Sequence, residues 1–233
     1  MLELKPERFG LRDFDNQPIA VCGKAFIGDQ SGALYWPSER TLIVADLHLE
    51  KASSFAAHDT RETLLNLARA IDRYQAEAVI ALGNNLHDPD AAERISPDDL
   101  DILRLIQEDR GWVWINGNHD PDVAPVLGGH SVDEIVVEGI RLVHRPGPGR
   151  VTHEIAAHLH PAARLSMHGH TIRRPCFVGN GRRLVLPAFG ALTGGLNVLD
   201  QTFLPVFGHD GFAVWMLGDE GLYPVATRQL CGD

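Results

Sequence analysis

Apolar positions along the chain fall into two textures. In the first, Thr41–Ala45, Ala78–Leu82 and Trp112–Ile115 are apolar runs without alternation, the pattern of short strands covered on both faces. Between the first two runs, Leu64, Leu67, Ala68 and Ile71 recur at helical spacing, and Asp59 followed three residues later by Glu62 predicts the helix start. Between the second and third, Ser96-Pro97-Asp98-Asp99 combines an N-cap residue, a first-turn proline and an acidic first turn, with Leu100, Leu103 and Ile106 on one face. Strands alternating with helices in this order predict parallel pairing through helical crossovers. The residues before Thr41 read as short strands broken at Gly28, Asp29, Ser31 and Gly32.

Beyond Pro121 the helical periodicity fades. Strand-like runs recur at Glu134–Glu138, Arg141–His144, Arg164–His168, Cys176–Val178 and Leu184–Leu186, with Gly and Pro between them. A hairpin is predicted around Gly179-Asn180-Gly181, and another joins Phe212–Leu217 to Leu222–Val225 around Gly218-Asp-Glu-Gly221. The expectation is a parallel α/β half that gives way to a mostly antiparallel half, all in one domain spanning residues 1–233.

Composition adds limits. Apolar residues are 44% and charged residues 22% of the 233-residue chain, ordinary for a globular protein. No apolar run approaches the roughly 18 residues that cross a bilayer, so no membrane partner is expected. MLELKPERFG has no apolar signal core, and Cys22, Cys176 and Cys231 are odd in number and scattered. Both features predict reduced thiols and a cytoplasmic location. The net charge of -10 argues against a protein coated in basic surface for wrapping DNA.

The 12 histidines change the picture. Each predicted buried strand is followed by candidate metal ligands: Asp46-Leu-His48, then Gly83-Asn84-Asn85-Leu-His87-Asp88, then Gly117-Asn118-His119-Asp120. Later come His144, and then His158-Leu-His160. Ligands of open α/β sheets gather at the carboxyl ends of strands. Mixed carboxylate, amide and imidazole donors with no thiolate suit divalent Mn, Fe or Zn. Two such ions about 3.5–4 Å apart clamp a phosphate and activate a water for in-line attack on phosphorus.

This ordered series resembles the calcineurin-like metallophosphoesterases. Ala33-Leu-Tyr-Trp-Pro37, Leu42-Ile-Val-Ala-Asp-Leu-His-Leu-Glu-Lys51 and Leu186-Pro-Ala-Phe-Gly-Ala-Leu-Thr-Gly-Gly195 are similar to one subfamily, the bacterial DNA-ligase-associated DNA damage response endonucleases. The resemblance implies a four-layer αββα sandwich of two mixed sheets flanked by helices, manganese dependence, DNA as substrate and work beside an ATP-dependent DNA ligase. Carried over residue by residue, Asp46, His48 and His160 hold the first metal. Asn118, His144 and His158 hold the second, and His119 is the catalytic residue near the leaving oxygen. Asn84 stands at the place of the family's bridging Asp, and Ala157 at the place of a Gly. An amide brings no charge between two cations, so impaired catalysis is one expectation, with Asp88 as a neighbour able to compensate. His168 and His170 are a decoy pair, expected on a half-exposed strand face.

Arg173, Arg174, Arg182 and Arg183 are expected to gather on one hairpin as a phosphate-contacting patch. Trp112 and Trp114 share a strand face and are expected in the core, while Arg61 and Lys51 read as helix-surface charges. Two alternatives stay open: the same chemistry on small nucleotides or lipid-linked pyrophosphates, and a catalytically degenerate scaffold or binding module.

Overall fold

In the structure of the protein, a computed structural model, residues 17–50, 56–88, 90–120, 123, 125–149, 151–167, 170–190, 194–208 and 210–233 are described. The three unbroken apolar runs form adjacent strands: β4 (Thr41–Ala45), β5 (Ala78–Leu82) and β6 (Gly111–Ile115), paired parallel and in register. The crossovers are α1 (Ala56–Tyr74) and α3 (Pro97–Gln107), with a one-turn α2 (Ala91–Arg94) before the latter. Ser96 caps α3 by accepting from the Asp99 backbone N–H at 3.2 Å, as the sequence predicts. Helix α1 opens at Ala56 rather than Asp59, because the alanines before His58 are themselves strong helix formers.

The first sheet is wider than the parallel core. β1 (Gln17–Val21), β2 (Lys24–Gly28) and β3 (Leu34–Trp36) add antiparallel strands on one side. β7 (His130–Val132) pairs parallel with β6 on the other. The parallel half is therefore the centre of a mixed seven-stranded sheet.

Among the described residues the second sheet has nine strands. β8 (Glu134–Val137) and β9 (Ile140–Val143) form a hairpin; β10 (Glu154–Ala156) lies parallel to β9 and to β13 (Arg183–Val185). β11 (Pro161–Met167) and β12 (His170–Gly179) are a long antiparallel pair, and β14 (Leu196–Asn197) joins β11. β15 (Ala213–Gly218) and β16 (Gly221–Val225) are the predicted final hairpin, docked on β12. Antiparallel pairing dominates here, but the parallel β9–β10–β13 core was not foreseen.

Layering follows from where apolar faces bury. One cluster, including Leu42, Val44, Leu67, Ile71, Leu103 and the two tryptophans, lies between the first sheet and helices α1 and α3. Trp112 and Trp114 are 3% and 1% exposed, so they are core residues and not base-stacking platforms. A second cluster joins Ile43, Ile80 and Ile115 of the first sheet to Leu142, Ile155 and Phe177 of the second. A third lies on the outer face of the second sheet under the short helix α4 (Leu204–Phe207). The result is an αββα sandwich with a thin fourth layer.

Candidate metal centre

The site forms where loops at the strand ends cross between the two sheets. Asp46 follows β4, Asn84 follows β5, Asn118 and His119 follow β6, and His144 follows β9. His158 and His160 occupy the loop between β10 and β11. Asp46, His48, Asn84, His158 and His160 all have positive φ, between 44° and 70°. Left-handed backbone at non-glycine residues costs of order 1–3 kcal/mol each and collects at functional sites. In the first loop the reason is visible: Asp46, His48 and Glu50 are left-handed while the intervening Leu47 and Leu49, each 1% exposed, anchor in the helix-side core.

Backbone bonds fasten the loops together. His48 N–H donates to the Asn84 carbonyl at 2.9 Å, and Asp46 N–H to the Gly83 carbonyl at 3.2 Å. Asp120, buried, accepts from the Asn85 and Leu86 N–H groups at 2.7 and 3.2 Å and from Gly117 N–H at 3.1 Å. Burial raises its carboxyl pKa, opposed by the Leu86 and Asn85 N–H donors. The second sheet closes over the first: His158 N–H donates to Asp46 Oδ2 at 3.1 Å, and Phe189 N–H to the Ala45 carbonyl at 2.8 Å. Gly83 lies so close to the His144 ring that a Cβ there would fall 2.5 Å from it.

The side chains converge in two groups. In the first, donor atoms of Asp46, His48 and His160 lie within 4.8 Å of one another, and His160 Nε2 is 3.1 Å from Asp46 Oδ1. In the second, His144 Nε2 lies 3.0 Å from Asn118 Oδ1 and 3.2 Å from His158 Nδ1. Carbonyl oxygens orient two of the rings, fixing tautomers as in metal-ligating histidines. His144 Nδ1 donates to Leu82 O at 2.9 Å and His160 Nδ1 to Gly194 O at 3.1 Å, leaving each Nε2 as the lone-pair donor facing the site. His48 Nδ1 is buried without a hydrogen bond. A buried imidazole nitrogen beside a carboxylate is the chemistry a divalent cation completes, so the residues fit such an ion.

Electrostatics keep Asp46, His48 and His158 deprotonated. Burial pushes His48 down to about 4, with His160, His87 and His119 adding to the fall and Asp46 opposing it. Burial and the neighbouring His144 lower His158 to about 4. Burial works to raise Asp46, but its hydrogen bond to His160 and the surrounding imidazoles outweigh it and hold the carboxyl low.

Each site residue has a definite place. Asn84, 3% exposed, turns its amide oxygen to the His119 backbone N–H at 3.2 Å, and Asp88 is held on Arg94 at 2.6 Å. His119 is exposed, its ring 5.7 Å from that of His48. His87, a member of the candidate-ligand motif G-N-x-x-H that was assigned to neither metal, stacks on His119 at 5.9 Å and lies 5.6 Å from His48. Its position in the motif was the available signal, whereas the orienting carbonyls of Leu82 and Gly194 have no sequence signature. Ala157 is buried with ordinary φ, so its methyl is accommodated.

The arginines do not gather. Arg173 and Arg174 stand on β12 near the site, lining a cavity of about 90 Å³ with His160 and Gly195. Arg182 faces Asp210 at 3.8 Å beyond the other end of β12. Arg183 is 1% exposed, because parallel β10–β13 register sets it beside Glu154, and the two form a buried ion pair at 2.8 Å. Arg183 is thus a structural residue, and the patch expectation is corrected at both Arg182 and Arg183. Arg61 pairs with Asp99 at 2.7 Å, while Lys51, His168 and His209 lie outside the described residues. His170 is exposed on β12.

The chain is similar to a solved structure described as the Pseudomonas putida nuclease MPE: 32% identity, TM-score 0.72, over 90% of this chain and 100% of that one. The chain belongs to that protein's family. No protein-family model matches it, and no curated protein does. The two mixed sheets agree with that likeness, and among the described residues Asp46, His48 and His160 form a group that could hold a metal ion. Among the described residues no helix is long and apolar enough to cross a membrane.

Proposed function

We propose that this chain is a metal-dependent DNA phosphodiesterase, an endonuclease of the metallophosphoesterase class working in DNA repair beside an ATP-dependent DNA ligase in the cytoplasm. The observation that carries the reading is the meeting of two donor groups, Asp46/His48/His160 and Asn118/His144/His158, at one strand-end cleft. The nuclease activity named for the Pseudomonas putida relative supports the substrate class. On this reading the first group holds one divalent ion and the second group another, with Asn84 between them. Manganese is the preferred ion, iron or zinc the alternatives. Bound there, such ions supply a nucleophilic water at neutral pH and neutralise charge on the phosphate.

The chain's own residues do the rest. Asp46 brings negative charge where it is fully buried, and Leu82 O and Gly194 O keep two imidazoles in the ligating tautomer. His119 stands exposed at the rim, placed to hold a proton at its imidazole for the leaving oxygen. Arg173 and Arg174 are the candidate contacts to a neighbouring phosphate. The scaffold reading draws its support from Asn84, whose neutral amide is already occupied by the His119 N–H.

Manganese-dependent cleavage of plasmid DNA and of a small chromogenic phosphodiester tests the proposal. Asp46→Ala should lower both by about a hundredfold or more, and Asn84→Asp should raise both. Absence of cleavage by metal-loaded Asn84→Asp protein would transfer the case to the scaffold reading.

A further inference from the structure

Beyond the ends of β4 and β5 the loops that carry the donors stay zipped together. His48 N–H donates to the Asn84 carbonyl and Leu49 N–H to the Asn85 carbonyl, each at 2.9 Å. His87 N–H returns to the Leu49 carbonyl at 3.0 Å, and among the described residues the backbone zipper ends there. One residue further along each loop, a single side chain takes over. Arg94 donates through Nη2 to the Glu50 carbonyl at 3.0 Å, and through Nη2 and Nη1 to the two carboxylate oxygens of Asp88 at 2.6 and 3.1 Å.

Arg94 has the mounting a fixed clamp needs. It ends the one-turn helix α2 between Ala91 and Ile95, both buried in the helix-side core, so the turn that presents it is anchored on either side. Its planar fork holds Asp88 by both oxygens, a geometry that lysine cannot copy. The clamp also meets strain. Asp46, His48 and Glu50 are left-handed, and such non-glycine residues persist only where the surroundings over-determine them. Leu47 and Leu49 pin the run from the core, and Arg94 pins its end through the Glu50 carbonyl. The Arg94 and Asp88 side chains are 40% and 33% exposed, so their pairing adds little to the stability of the whole fold. Its effect is local, on the two loops it joins.

We propose that Arg94 is a positioning residue: by locking the loop 46–50 to the loop 84–88, it sets His48 in the first donor group and His87 against His119. His48 lies two residues before Glu50 and His87 one before Asp88, so the clamp acts on both rings through the backbone. Asp88 on this assignment supports the loop and does not replace the charge missing at Asn84. The inference rests on the metal-centre reading above and adds a residue outside both donor groups on which ion affinity depends.

Titration of the full chain with Mn2+, followed by electron paramagnetic resonance, reads ion affinity without turnover. Arg94→Ala should raise the concentration that half-fills the tighter site about tenfold. Arg94→Lys should recover part of the loss, and the thermal midpoint of both should stay within about 3 °C of the unmodified chain. In metal-free protein the NMR ring signals of His48 and His87 should shift in Arg94→Ala, while that of His130, exposed on β7, stays in place. Asp88→Asn should give the same pattern more weakly, and combining it with Arg94→Ala should add nothing, since both act through one contact. Unmoved His48 and His87 signals with unchanged Mn2+ affinity would overturn the assignment. So would a midpoint lowered by about 10 °C with every histidine signal displaced, which would make Arg94 a support of the whole fold. Failure of the metal reading has a different signature: no Mn2+ bound by the unmodified chain, with ring signals that still respond to Arg94→Ala.

Discussion

Asp46 is the residue on which the site turns, because its carboxylate, at the end of a first-sheet strand, is fully buried and meets the second sheet through His160 and the His158 N–H. Its motif was legible: an Asp and a His two apart at the end of a buried run. The left-handed backbone that aims them was not, since neither residue type demands it. Around this carboxylate, His48 sits at about 4 in place of the ordinary 6.5 because burial disfavours the imidazolium. Its folded-state pKa lies below its unfolded one, so the unfolded chain binds the extra proton and stability falls as pH drops through the interval between them. Urea denaturation of metal-free protein should show a loss of about 2 kcal/mol from this residue between pH 7 and pH 5. His48→Asn should flatten that dependence; an equally steep one in the variant would contradict the assignment. Asn84 was legible as a departure, but its use as acceptor for the His119 N–H was not.

Elements divide by length. β4, β5 and β6 were readable because strands buried on both faces leave unbroken apolar runs, and α3 because its cap and proline are local signals. β10 and β14, three and two residues long, carry too few positions for any periodicity, although β10 leads directly to His158. β12 is longer than its apolar core Cys176–Val178, since its outer half is paired yet solvent-exposed and so lacks a hydrophobic signature. β10 is held by an ion pair that sequence alone could not place: Glu154, 0% exposed, meets Arg183 at 2.8 Å and Arg141 at 2.6 Å. Removing the charge on one side strands the other in the core. Glu154→Gln should therefore cost about 3–5 kcal/mol, read as a lower urea midpoint at unchanged slope. A midpoint within error of the unmodified protein would show that the pair does not hold the strand.

At the scale of the whole molecule, neither sheet has a complete site. The first sheet brings Asp46, His48, Asn84, Asn118 and His119, the second brings His144, His158 and His160, and the inter-sheet core brings the two sets together. The ordered spacing of motifs over more than a hundred residues made this convergence predictable, while the separation of Arg182 and Arg183 from Arg173 and Arg174 depends on strand length and register. The most direct test is anomalous scattering at the manganese edge from crystals soaked in Mn2+. A strong peak bounded by Asp46, His48 and His160 is predicted, with a weaker one among Asn118, His144 and His158 that gains occupancy in Asn84→Asp. No peak beside Asp46, or metal bound only away from these two groups, would contradict the account.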